Sequence, residues 1–193
     1  MRVGQLSFFS AEVAEPGLGD LSGLLATNGQ AASSSAGVRI SIVVDADWRA
    51  DALVDEIIRC GVGAQTSRSD EDSPMARTDT SQALAVVAGP WTRGAVKVVP
   101  AGWVPSARAL RLWVIASGRR EGPGYLLGLD PRSPDTHPAL ATSLMRAGVA
   151  PTLVGTRGRA ALRISGRRRL TRLAETVGAP PEAADAQAVW PAE

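Results

Sequence analysis

The sequence predicts an α+β fold in which one αββαββα unit is used twice about a pseudo-twofold axis, each copy carrying a curved antiparallel sheet. Three observations predict it. Two leucine-rich, nine-residue segments that end in glycine read as helices: Leu21-Ser22-Gly23-Leu24-Leu25-Ala26-Thr27-Asn28-Gly29 and Leu110-Arg111-Leu112-Trp113-Val114-Ile115-Ala116-Ser117-Gly118. Strand-like alternation follows each of them, clearest in residues 38–44 and 159–165. The halves also match in order: residues 39–45 with 125–130, Cys60-Gly61-Val62 with Ala147-Gly148-Val149, Arg77 with Arg163, and Ala88-Gly89 with Val177-Gly178. A narrow but drifting offset between ordered matches is what a duplicated unit leaves behind.

Element by element, Asp20 is positioned to cap the first helix and Gly29 to end it. Residues 30–37 are small and serine-rich, a weak strand or a loose hairpin loop. In residues 38–44, Ile40, Ile42 and Val44 share one face and Arg39, Ser41 and Val43 the other. Asp45-Ala46-Asp47 then caps a helix over residues 48–60 with Leu53, Ile57 and Cys60 inward, which makes Cys60 an inert buried thiol. Short strands follow at 64–69 and 75–78, and Thr80 or Ser81 opens a helix through Ala88. Residues 91–105 read as the connection between halves. Ser106 caps the second organising helix, Gly122-Pro123-Gly124 turns into a strand at 125–130, and Asp135 or Thr136 caps a helix over 137–147. His137, beside Pro138, is expected as a solvated neighbour of that cap. Strands at 151–154 and 159–165 and a helix over 167–177, with Leu170, Leu173 and Val177 inward, complete the second unit. The predicted division is an N-terminal segment (1–19, anchored by Phe8 or Phe9), a first half (20–90), a linker (91–105), a second half (106–178) and a flexible acidic tail (179–193).

The 193 residues suffice for one sizeable core, and 45% hydrophobic with 21% charged residues is ordinary for a globular chain. No apolar run approaches the roughly 18 to 20 residues that cross a bilayer. Ser7, Ser10, Glu12 and Glu15 interrupt any signal-peptide core after residue 6, so a cytoplasmic chain without membrane partners is expected. Cys60 and His137 are each the only residue of their type, which excludes a disulfide, a Cys/His zinc cluster and a Ser-His or Cys-His pair within one chain. No cofactor and no metal is expected.

Charge is divided unevenly. Lys97 is the sole lysine among 21 basic residues, and this arginine bias, with the wealth of Ala and Gly, fits a GC-rich coding sequence. Residues 1–88 nevertheless carry 6 basic and 12 acidic groups, whereas residues 91–177 carry 15 basic and 4 acidic. Coding bias would spread arginine evenly, so the imbalance predicts a polyanion-facing surface on the second half. An acidic half could instead dock the basic half of a neighbour.

The two nonapeptides resemble the LAGLIDADG motif, and the element order resembles the two-copy members of that family. The resemblance implies that the two helices pack on the pseudo-twofold axis and that two sheets form a saddle over the DNA major groove. It also implies that the last acidic position of each nonapeptide would hold a metal carboxylate; here those positions are Asn28 and Ser117. Mg²⁺ needs hard, charged oxygen ligands, so catalysis is not expected. Arg111, Leu112 and Trp113 stand where the family has small residues, and looser or shifted helix packing is expected there. The opening Ser7-Phe8-Phe9-Ser10-Ala11-Glu12-Val13, the missing acids and Ala179-Pro180-Pro181 after Gly178 are similar to the N-terminal region of WhiA-type regulators. The helix-turn-helix domain of those regulators has no counterpart after residue 178, which puts sequence-specific transcription control in doubt.

The residues expected to meet DNA lie in the second half. Arg159 and Arg163, with Ala161 and Ser165, alternate onto one strand face. Arg157 lies in the preceding turn, Arg119 and Arg120 follow the second nonapeptide, and Arg167, Arg168 and Arg169 start the last helix. Arginine bridges phosphate oxygens or a guanine edge, and a helix start adds backbone donors. No aromatics interleave with these arginines, which favours duplex DNA over single strands. The first reading is therefore a catalytically inactive, WhiA-like LAGLIDADG protein that binds duplex DNA through its basic second half, a monomer with an internal pseudo-dimer, acting as an accessory transcriptional regulator or nucleoid-associated factor. The competing readings are a protein-protein interaction module and, third, a metal nuclease.

Overall fold

The computed structural model describes residues 10–155 and 159–192. Its first half opens with a 3-10 turn, Leu18–Leu21, that runs into a short helix α1, Ser22–Leu25. There follow strands β1 (Gln30–Ser34) and β2 (Gly37–Val43), helix α2 (Asp47–Arg59), strands β3 (Ala64–Arg68) and β4 (Pro74–Thr78), a 3-10 turn Gln82–Leu84 and helix α3 (Ala85–Ala88). After a 3-10 turn Gly89–Trp91, a small hairpin of β5 (Thr92–Arg93) and β6 (Val96–Lys97) leads to the second half. That half holds α4 (Ala107–Ser117), β7 (Gly118–Glu121), β8 (Gly124–Gly128), α5 (His137–Arg146), β9 (Thr152–Val154), β10 (Ala161–Ile164) and α6 (Arg167–Val177), and a last helix α7 covers Ala184–Val189. The two antiparallel sheets have strand orders β1-β2-β4-β3 and β7-β8-β10-β9. One topology is used twice, as the repeat predicts.

Alternation in β2 places Val38, Ile40 and Ile42 inside and leaves Arg39 and Val43 outside, the pattern of a sheet with one buried face. A single apolar core runs through both halves, from Ile40, Leu53 and Ile57 across Leu24 and Trp113 to Leu127, Leu144 and Leu162. Where looser or shifted helix packing was expected, the packing on the axis is tight at one point. A Cβ on Gly23 would overlap the carbonyl of Ala109. Gly23 on α1 meets the small Ala109 on α4 at this approach, and Leu112 and Trp113 fill core, both at most 1% exposed. Arg111 is accommodated because Glu56 on α2 receives its Nε at 2.7 Å and Arg108 Nη2 at 2.6 Å.

Several local expectations are corrected. Asp20 does not cap α1; it sits inside the preceding turn, where its carboxylate accepts the Gly17 amide (2.9 Å) and the Ser106 hydroxyl (2.6 Å). The first helix stops at Leu25, and the Gly29 amide closes back onto the Leu24 carbonyl at 3.1 Å. Asp45 does not cap α2 but pairs with Arg49. Strand β7 occupies a stretch between helix and turn to which the sequence assigned no element. The linker is built into the core by Trp91 and Trp103, whose rings meet edge to face at 4.9 Å. The tail expected to be flexible is docked: Trp190 is buried, its Nε1 donates to the Gly178 carbonyl at 2.7 Å, and Arg111 donates to the Ala179 carbonyl. Its acidic composition hid two apolar anchors, Ala186 and Trp190. Phe8 and Phe9 lie outside the described residues. Among the described residues no helix is long and apolar enough to cross a membrane.

Candidate nucleic-acid interface

Strand register aligns the halves residue by residue. Arg77 faces Ser41 across β4 and β2, and Arg163 faces Leu126 across β10 and β8. Gln30 and Arg119 occupy the matching places on the edge strands β1 and β7. Asn28 and Ser117, two residues earlier, are thus structural equivalents at the ends of the two nonapeptides. Both lie against equivalent carbonyls at the end of the second strand: Asn28 Nδ2 donates to Val43 O at 2.9 Å, and the Ser117 hydroxyl is shared between Gly128 O at 3.3 Å and Trp113 O at 3.2 Å. An ionised carboxylate in either place could only accept and would face a carbonyl oxygen.

Protein cations hold the adjacent backbone. Lys97 on β6 donates to the carbonyls of Thr27 and Gly29, and Arg49 on α2 donates to those of Ile115 (2.5 Å) and Gly118 (2.7 Å). Each cation also meets an aspartate: Lys97 lies 3.1 Å from Asp130 and Arg49 lies 2.8 Å from Asp45. Lys97 thereby ties the first nonapeptide to the second half, and Arg49 ties the second nonapeptide to the first half. Cations at helix C-termini also complement the helix dipole. Burial pulls the Lys97 ammonium below its usual value while Asp130 works against that. For Asp130 burial pushes upward, but the Arg132 amide and the Lys97 charge outweigh it and hold the carboxyl below the usual range. His137, expected in solvent, is buried and donates from Nε2 to the Asp130 carbonyl at 2.8 Å.

This donor set does not fit the divalent metal of the nuclease family. Asn28 and Ser117 offer neutral groups at the two acid positions, and the cations Lys97 and Arg49 hold the backbone beside them, where anionic oxygens would be required. Cys60 is no alternative ligand, since burial first and the nearby Asp20 next push its thiol up to about 11.

The structure places the predicted arginines in different surroundings. Arg119 and Arg163 stand on the open face of the second sheet, where Arg163 is ion-paired with Glu121. Arg120 is corrected: it alternates to the opposite face of β7 from Arg119, where it stays exposed and donates from Nε to the Trp190 carbonyl at 2.7 Å. Arg159 is also corrected, because it precedes β10 in an exposed connection and does not share a strand face with Arg163. Ala161, on the same expected face, is buried. Arg167, Arg168 and Arg169 are exposed at the start of α6, beyond the sheet. Arg157 lies outside the described residues.

No family model matches the chain by sequence, and no curated protein matches it. Solved structures do. The homing endonuclease I-WcaI bound to its DNA recognition sequence superposes with a TM-score of 0.61 over 92% of this chain and 89% of that one, at 8% identity. The N-terminal LAGLIDADG domain of DUF199/WhiA gives 0.57 over 84% of this chain and 82% of that one, at 13% identity. This chain has a LAGLIDADG fold. Full-length DUF199/WhiA from Thermatoga maritima gives 0.60 at 12% identity, with 88% of this chain covering 56% of that protein.

Within the LAGLIDADG frame, the first half supplies residues that sequence reading left out. Arg39, Ser41 and Arg77 line the open face of the first sheet, and Arg39 donates to Thr80 Oγ1 at 3.1 Å. The match of Arg77 with Arg163 at one offset was the available signal. For Lys97 and Arg49 no local pattern existed.

Proposed function

We propose that this chain binds duplex DNA across the open faces of its two sheets and does not cut it. The observation that carries the reading is the pair Arg77 and Arg163, placed at equivalent register positions on the two faces. Arg39 and Arg119 add charge on the same faces, with Glu121 as the acid beside Arg163. The I-WcaI structure, of like fold, holds its DNA recognition sequence, which supports the choice of ligand. The hydrogen-bond donors at Asn28 and Ser117 and the cations beside them support binding without cleavage. An accessory regulatory or nucleoid-associated role fits such a protein.

Fluorescence anisotropy of a labelled duplex across several salt concentrations tests this. A surface neutralising about six phosphates has a log-log salt slope near −5. Reversing charge at Arg77 and Arg163 together should weaken binding more than about tenfold, and Glu121→Gln should strengthen it about two- to fivefold by freeing Arg163. Undiminished binding by the reversed variant removes the saddle reading. Nicking of a supercoiled plasmid with Mg²⁺ that depends on Asn28 and Ser117 would remove the non-catalytic one.

The division of charge between the halves supports a second reading, a protein-protein module. Its mark is a mass by light scattering that rises with concentration, with no response to DNA.

A further inference from the structure

Helix α6 carries a charge pattern that its own stability opposes. Arg167, Arg168, Arg169 and Arg172 occupy its first turn and a half, all exposed, with no acidic residue in the first turn and no side-chain cap. Cations at a helix N-terminus oppose the helix dipole, and Arg168 with Arg172 repel as neighbours one turn apart. Among the described residues none of the four forms an ion pair, although Glu175 lies three residues beyond Arg172 on the same helix. The corresponding segment of the first half, residues 81–88, folds with no charged residue at all. The first half thus completes its unit without such a cluster.

Their place in the fold separates them from the open sheet faces. Leu173 and Val177 turn α6 inward, where it packs on α4. Arg172 lines a depression with Pro105 and Ala107, at the start of α4, whereas Ser117 at the other end of α4 adjoins the saddle. Eleven helical residues rise about 16 Å. A duplex lying on the open faces thus leaves Arg168 and Arg172 unengaged on the far side of the second half.

We propose that α6 is a second duplex-binding surface, and that one chain bridges two separate segments of DNA. The inference rests on the saddle reading for its first site. Exposed arginines at helical spacing with backbone donors at the helix start suit a run of phosphates, and the absence of aromatic residues on the exposed side of α6 selects a duplex over a stacked single strand.

The test is capture of a free fluorescent duplex by a duplex fixed on beads, with sedimentation of the soluble complex giving duplexes per chain. The intact protein should capture efficiently and hold two duplexes. Arg168→Glu with Arg172→Glu should lower capture at least about tenfold and leave one duplex bound through the saddle. Arg77→Glu with Arg163→Glu should likewise leave one, through α6, and the four together none. The melting temperature of the α6 variant should change little, since an acid at position 168 suits the helix start and offsets the repulsion of one at position 172 with Glu175. One duplex per intact chain, unchanged in the α6 variant, overturns the bridging proposal alone. Retention of poly-glutamate by α6 without a second duplex overturns it in favour of an acidic protein partner. Loss of all binding in the α6 variant, with none in the saddle variant, overturns the saddle reading.

Discussion

Asp130 shows how much one side chain can connect. Its carboxylate takes Lys97 Nζ and Gln30 Nε2, both at 3.1 Å, and the Arg132 amide at 3.0 Å, while its carbonyl takes His137. Removing one partner of a buried pair leaves the other charge uncompensated, so Asp130→Asn should cost about 3 kcal/mol, or roughly 10 °C in melting temperature. The sign of the pH dependence follows from the lowered carboxyl of Asp130. Its stabilisation is complete above the unfolded value near pH 4 and is lost as pH falls through the depressed folded value. The difference between the two proteins should be full at pH 7 and close below about pH 4 in thermal melts; a constant difference would mean that the charge is immaterial. Sequence could not disclose this cluster. Lys97 lies 33 residues from Asp130 and 68 from Gly29, and no periodicity links residues so far apart.

At the scale of elements, a single glycine sets how α1 and α4 meet. Gly23→Ala would gain up to about 1 kcal/mol of helix propensity. It would also drive a methyl into the Ala109 carbonyl, and overpacking of this kind costs about 1–3 kcal/mol. The variant should be net destabilised, with a lower melting temperature; a higher one would show that the helices stand apart. Elements with strong patterns were legible: β2 through its alternation, α2 through Leu53, Ile57 and Cys60, and α4 through its Ser106 cap, whose Oγ accepts the Ala109 amide at 3.0 Å. Strand β7 was not, because Gly118, Arg119, Arg120 and Glu121 contain no apolar alternation. Its pairing with β8 supplies what its side chains do not. Arg120 went astray for the same reason, since the face of a residue is unknown until its strand is recognised.

Across the whole molecule the two halves share one core and are latched by Lys97 and Arg49 in opposite senses. Unfolding should therefore be one cooperative transition, with calorimetric and van't Hoff enthalpies equal. Two resolved transitions would mean that the halves fold independently. The sequence by itself determined the duplicated αββαββα architecture and the loss of acids at Asn28 and Ser117. These are written locally, in hydrophobic period, capping residues and a repeat at nearly constant offset. Tertiary structure alone decided the docking of the tail by Trp190, the turning of Arg120 away from the face of Arg119, the pairing of Arg163 with Glu121 and the packing of α6 on α4. Each depends on contacts between residues distant in the chain, or on which side of a sheet a helix comes to rest, and a linear pattern of side chains records neither.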